Sequence, residues 1–216
     1  MMNATSRRKF HIALLASFIV ILILSVIRPK DLFTWFLESF PAMTGAVILI
    51  ATYRRFELTP LVYTLIWMHA VILVVGGHYT YAEVPLFDWI RDTFHLSRNH
   101  YDRVGHLAQG FVPAMIAREF LLRRSPLERG KLLAYIIVSI CLAISSAYEL
   151  LEFGVSVLTG SAGDAFLGTQ GDIWDTQKDM LMALIGSITA LLTLSRLHDR
   201  QLARFVDARS DRRAAV

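Results

Sequence analysis

The chain has 216 residues, 55% of them hydrophobic and 19% charged, with a formal net charge of +4. That is too apolar for an ordinary soluble domain of this size. Its single cysteine, Cys141, excludes an intramolecular disulfide and a thiolate metal cage, and its basic residues are spread as a topology signal, with no sign of nucleic-acid binding.

Charged clusters separate apolar runs of about 18 to 25 residues, the length at which a helix crosses a hydrocarbon core of about 30 Å. The first run, Phe10 to Ile27, follows Arg7-Arg8-Lys9 like a signal peptide. It is long and ends in bulky Ser-Val-Ile where a cleavage site would need small residues, so it reads as a retained anchor. Further runs cover Phe33 to Tyr53, Thr59 to Gly76, Val104 to Leu122, Leu132 to Leu158 and Thr176 to Leu197. With no repeat or flexible linker between them, the expected fold is all-α, one polytopic bundle of about six transmembrane helices over residues 10–197. Residues 1–9 and a basic tail, 198–216, flank it.

Orientation follows from the loops. Arg7-Arg8-Lys9, Arg54-Arg55, the Arg123 to Lys131 cluster and the tail all fall on one side of a six-span chain. The positive-inside rule makes that side cytoplasmic, termini included. Arg28 and Lys30 in the short first loop argue mildly against it, whereas residues 159–175, without Lys or Arg, agree. Residues 77–103 and 159–175 are then extracytoplasmic, and they are the most polar and aromatic loops. Tyr79, Tyr81, Trp89, Tyr101 and Trp174 read as an aromatic belt at the interface.

The chemistry gathers on that face. His78 ends the third span, His106 begins the fourth, Glu149 and Glu152 lie in the outer half of the fifth, and Asp175 and Asp179 open the sixth. At a rise of about 1.5 Å per residue all share one layer of the outer leaflet. Glu149 and Glu152 are spaced i,i+3, and Asp175 and Asp179 i,i+4, so each pair shares a helix face, with Asp172 a turn above Asp175. Asp102 and His106 are likewise spaced i,i+4.

Intramembrane carboxylates are costly unless protonated, paired or bound to a cation. His78, His106, Asp172, Asp175 and Asp179 are therefore candidate ligands of a divalent cation such as Zn, Mg or Mn. Glu149 or Glu152 would be the general base, and Arg103 could hold a phosphate. Plainer readings stand beside these. Asp172 and Asp175 also suit an N-cap with an acidic first turn, the two glutamates could pair with Arg103, and His69, His95 and His198 look ordinary. HExxH and GxSxG motifs are absent.

Taken together, HYTYAEVPLFDWI, HYDRVGHLAQGFVPAM, SSAYELLEF and GTQGDIWDTQKDM make the chain resemble the YjdF-like family of bacterial inner-membrane proteins over about residues 10 to 197. Phe153 stands where that family's aromatic, often Trp, follows the Glu pair. The resemblance implies a multi-pass protein of the bacterial inner membrane and assigns no activity. The residues themselves point first to an outward-facing, metal-dependent site for hydrolysis or group transfer on a lipid or envelope precursor. A proton- or cation-coupled transporter is the second reading, against which weighs the concentration of polar residues on one side. A structural or partner-binding membrane protein is the third.

Overall fold

The computed structural model describes residues 4–160, 166 and 168–214, with side chains as far as Ala203. Among the described residues the chain is all-helical: α1 (Ala4–Ser25), α2 (Leu32–Thr52), α3 (Pro60–Tyr79), a 3-10 turn (Tyr81–Glu83), α4 (Pro85–Phe94), α5 (Tyr101–Arg124), α6 (Lys131–Thr159) and α7 (Asp175–Ala214). Five helices are long and apolar enough to cross a membrane: Thr5–Ser25, Leu32–Thr52, Pro60–Tyr79, Lys131–Thr159 and Asp175–Ala203.

The fourth expected span, α5, differs from the others. Its 24 residues reach about 36 Å at the helical rise, enough to cross, but Asp102, Arg103, His106, Arg118 and Glu119 make it too polar to face lipid. It is enclosed by α3, α6 and α7. The other five helices present apolar surface outward, as Ile23, Val47, Met68, Leu150 and Leu192 do. Lipid does not drive such helices together as water would, so close packing must. Gly110 of α5 supplies it, since a Cβ there would fall on the Ala183 carbonyl of α7, and a Cβ at Gly186 would meet the Leu107 carbonyl in return. Val112, Met115, Ile137, Cys141 and Ala190 fill the bundle around this contact.

Helix ends follow local chemistry. Asp31 caps α2 by accepting from the Thr34 amide at 2.6 Å, and Pro60 opens α3 at a position where the missing N–H costs nothing. Residues 77–103, expected as a loop, contain α4, an amphipathic helix exposing Leu86, Trp89 and Phe94 on one side, which suits the membrane interface. Trp89 and Trp174 are exposed as belt residues should be, whereas Tyr81 and Tyr101 are buried and pack edge to face at 5.5 Å. The last helix does not stop at Leu197 but continues to Ala214.

Candidate functional site

One end of the bundle carries α4 and the connection into α7; the other carries the two termini. The α4 end gathers most of the expected residues. Arg98, in the connection between α4 and α5, is buried and donates to the carboxylates of Asp175 and Asp102 and to the carbonyls of Gly168 and Thr169, the last two at 3.1 Å each. Asn99 and Gln170 exchange two hydrogen bonds of 3.0 Å. The two connections therefore fold together.

Both terminal nitrogens of Arg103 are engaged. Nη1 donates to Asp179 Oδ1 at 2.5 Å and to the Asp175 carbonyl at 3.0 Å, while Nη2 reaches Asp175 Oδ1 at 2.5 Å and Asp172 Oδ2 at 3.2 Å. This corrects the roles of a phosphate clamp and of a partner to the glutamates: both terminal nitrogens are taken by the aspartates of α7 and the turn before it. Asp172 also accepts from the Trp174 amide at 3.1 Å and from Lys178 at 2.7 Å, so it is in part the turn cap its position suggests. The Lys178 hydrogen bond, then that of Trp174, hold its carboxyl below the usual range. His100, at the start of α5, is held below its ordinary value by burial first and then by Arg98 and Arg103. Asp164, in the same acidic stretch, lies outside the described residues.

Deeper in, the charges cease to balance. His106 lies with Nε2 3.4 Å from Asp102 and 4.0 Å from Asp179, and with Nδ1 3.1 Å from Gln109 and 3.6 Å from Glu149. Ligand atoms of Asp102, His106 and Asp179 all fall within 4.8 Å of one another, near enough for one cation to touch all three. Glu149 Oε1 is buried without a hydrogen-bond partner. Glu38 of α2 accepts from the Tyr148 hydroxyl at 3.2 Å. A cavity of about 20 Å³ opens between Glu38, Asp102, His106, Tyr148 and Glu152, the size of one water molecule.

His78 is not part of this set. Its Nδ1 lies 2.7 Å from the Ser25 carbonyl at the end of α1, so its ring ties two helix ends. Sequence reasoning missed Glu38, Arg98 and Tyr148. Glu38 was legible as a lone carboxylate within an apolar run, but Arg98 and Tyr148 gain meaning only through partners 77 and 110 residues away.

A family model described as predicted membrane protein (DUF2238) matches residues 10–200. The chain belongs to that family. It is 48% identical over 186 residues to inner membrane protein YjdF of Escherichia coli (strain K12), covering 86% of this chain and 89% of that protein. No solved structure matches it. The DUF2238 chain is thus a multi-pass protein of the bacterial inner membrane, as its motifs indicated.

This DUF2238 protein also buries charge at the termini end, which corrects the expectation that polar residues lie on one side; His198 is a buried structural residue there, within its ordinary reading. Glu119 of α5 is fully buried and accepts from the Thr59 amide at 3.0 and 3.1 Å and the Thr59 hydroxyl at 2.8 Å, capping α3 from outside. Arg123 donates to the same carboxylate at 2.6 Å. Arg118 donates to His198 Nδ1 at 2.8 Å, which leaves the ring proton on Nε2 to be donated to Glu119 at 3.0 Å.

Proposed function

We propose that this protein is a metal-dependent membrane enzyme whose site at the α4 end faces out of the cytoplasm and hydrolyses, or transfers a group at, a phosphate or ester of a lipid or envelope precursor. The observation that carries the reading is that the three convergent ligand candidates and the water-sized cavity share Asp102 and His106, with Glu152 on the cavity wall. A water held in that cavity would lie between a cation at those ligands and a carboxylate able to act as base. A cation at Asp102, His106 and Asp179 would polarise the substrate oxygen and acidify the water. Zn, Mg and Mn all accept such a mixed carboxylate and imidazole set. Glu152, backed by Glu149, would take the proton. Arg98 and Arg103 would keep Asp175 and Asp179 in register and offset their charge. The outward orientation rests on the basic loops and tail.

Elemental analysis of the detergent-purified protein beside Asp179→Asn and His106→Ala variants tests this. A near-stoichiometric metal lost in both variants, with phosphatase or esterase turnover on lipids that needs Glu152, is the expected result. Metal-free protein that no divalent cation stabilises would sink the reading.

A relay of protons or cations is the second reading, favoured by the presence of buried ionic clusters at both ends of the same α5–α7 pair. Between them lie the buried apolar side chains Val112, Met115, Ala183 and Ala190 around the backbone contact, and this apolar layer favours the enzyme. Flux into proteoliposomes that disappears in Glu119→Gln would reverse the order.

A further inference from the structure

A second feature lies on the other side of the bundle from the ionic clusters. Helices α1 and α2 both pack on α3 and are tied to each other at their ends. Near the termini His11 Nδ1 lies 2.9 Å from the Tyr53 hydroxyl, and at the opposite end the Trp35 indole donates to Ser25 Oγ at 3.0 Å. Between these ties they part, leaving a groove of about 590 Å³. Ala42 and Ala46 leave the space, and Trp67 of α3 and Phe18 of α1 line it.

Its length and its charge both point to an occupant. From Arg8 to Phe18 the groove runs about 15 Å at the helical rise, one leaflet of a hydrocarbon core about 30 Å thick. An apolar groove of that depth within a bilayer matches one acyl chain in length and polarity. At the mouth stand Arg8 and Arg54, both exposed and without a carboxylate in ion-pair range among the described residues. Nearby, Arg7 lies 3.8 Å from Glu57, and Arg124 donates to the Arg55 carbonyl at 3.3 Å. The His11 ring lines the groove with Nε2 buried and unpartnered. Two unpaired guanidiniums above an apolar slot complement a phosphate carried on a hydrocarbon chain.

We propose that the groove between α1, α2 and α3 binds one anionic phospholipid, its acyl chain against Trp67 and Phe18 and its phosphate between Arg8 and Arg54. The site is independent of the ionic cluster at the α4 end. It fixes the lipid-exposed α1 to the bundle through a bilayer component.

Native mass spectrometry of the full chain, released from detergent with equal amounts of phosphatidylglycerol and phosphatidylethanolamine, tests this. The wild type should retain one phosphatidylglycerol in preference. The Arg8→Ala/Arg54→Ala double variant should retain it about thirtyfold less, the factor that two arginines near a lipid surface supply. Ala46→Trp, which fills the groove, should lose the lipid, and Ala13→Trp, on the exposed side of α1, should keep it. Equal retention of the two lipids, or retention unchanged in the double variant, overturns the proposal. So does a dimer that Ala46→Trp abolishes, which would give the groove to a second copy of the chain. If Ala46→Trp does not fold, the arginine variant still decides, since both of its side chains are exposed.

Discussion

The two ends of the α5–α7 pair bury charge in opposite ways. At the termini end both oxygens of Glu119 have donors, from Thr59, Arg123 and His198. Helices α3, α5 and α7 are joined by that one carboxylate. At the α4 end Arg98 and Arg103 neutralise the shallow aspartates, while Glu38, Glu149 and Glu152 have no arginine or lysine within ion-pair distance among the described residues. A carboxylate with a full set of donors explains itself structurally. A cluster with carboxylates to spare beside a cavity does not, because desolvation would be uncompensated without a proton or a cation. On the proposed function, one end is architecture and the other is where a cation and a substrate would meet.

The sharpest way to break that comparison is to remove one carboxylate from each end. Glu119→Ala removes the buried acceptor shared by the Thr59 amide, Arg123 and His198, and should cost about 3 to 5 kcal/mol, the usual penalty for breaking a buried pair. Glu152→Gln removes surplus charge and should leave the melting midpoint unchanged or raised. Thermal unfolding of both variants in one detergent compares them directly. Equal losses would mean that the α4 end is scaffold too.

Added cation should separate the ends next. A ligand that binds the folded state alone at a hundred times its dissociation constant stabilises by about 2.7 kcal/mol. Mn or Zn should therefore raise the melting midpoint of the wild type and of a milder termini-end variant, Glu119→Gln, and leave Asp179→Asn where it was. A rise that survives in Asp179→Asn would place the ion elsewhere.

What joins the two ends is the glycine contact between them. Gly110→Val forces a branched side chain against the Ala183 carbonyl and should cost about 1 to 3 kcal/mol, the range for overpacking a core. If the clusters share one rigid helix pair, the same substitution should also weaken cation binding at the α4 end. Loss of stability with cation affinity intact would make the ends independent.

Much of this was legible in the chain. Apolar runs locate α1, α2, α3, α6 and α7 because lipid demands about twenty apolar residues in a row. Helix α5 was readable by its length, but the reason its charges are tolerated, enclosure by three neighbours, is a property of the assembled bundle. Spacing brought His106, Asp175 and Asp179 to one layer, since i,i+3 and i,i+4 positions and depth are local quantities. It misplaced His78, whose depth is right but whose ring points to α1, because depth carries no information on azimuth around the bundle. It could not see that Arg103 is consumed by three aspartates. Local spacing gives the height of a side chain in the membrane, and tertiary packing gives its partner.

The smallest effect belongs to the rim of the α4 end, where Lys178 meets Asp172 in partial contact with solvent. The folded-state pKa of Asp172 is lowered, first by the Lys178 hydrogen bond. The contribution of the pair is therefore fully present above the ordinary carboxylate value of about 3.9. It is lost as pH falls through the lower folded value. Lys178→Ala should raise the midpoint of acid unfolding slightly, and added salt should shrink the gap between variant and wild type, as it does for exposed pairs. Above pH 6 the two proteins should melt alike at high salt. A large loss at neutral pH that salt does not touch would mean that the rim pair is as structural as Glu119, and that the line between the two kinds of cluster runs within the α4 end.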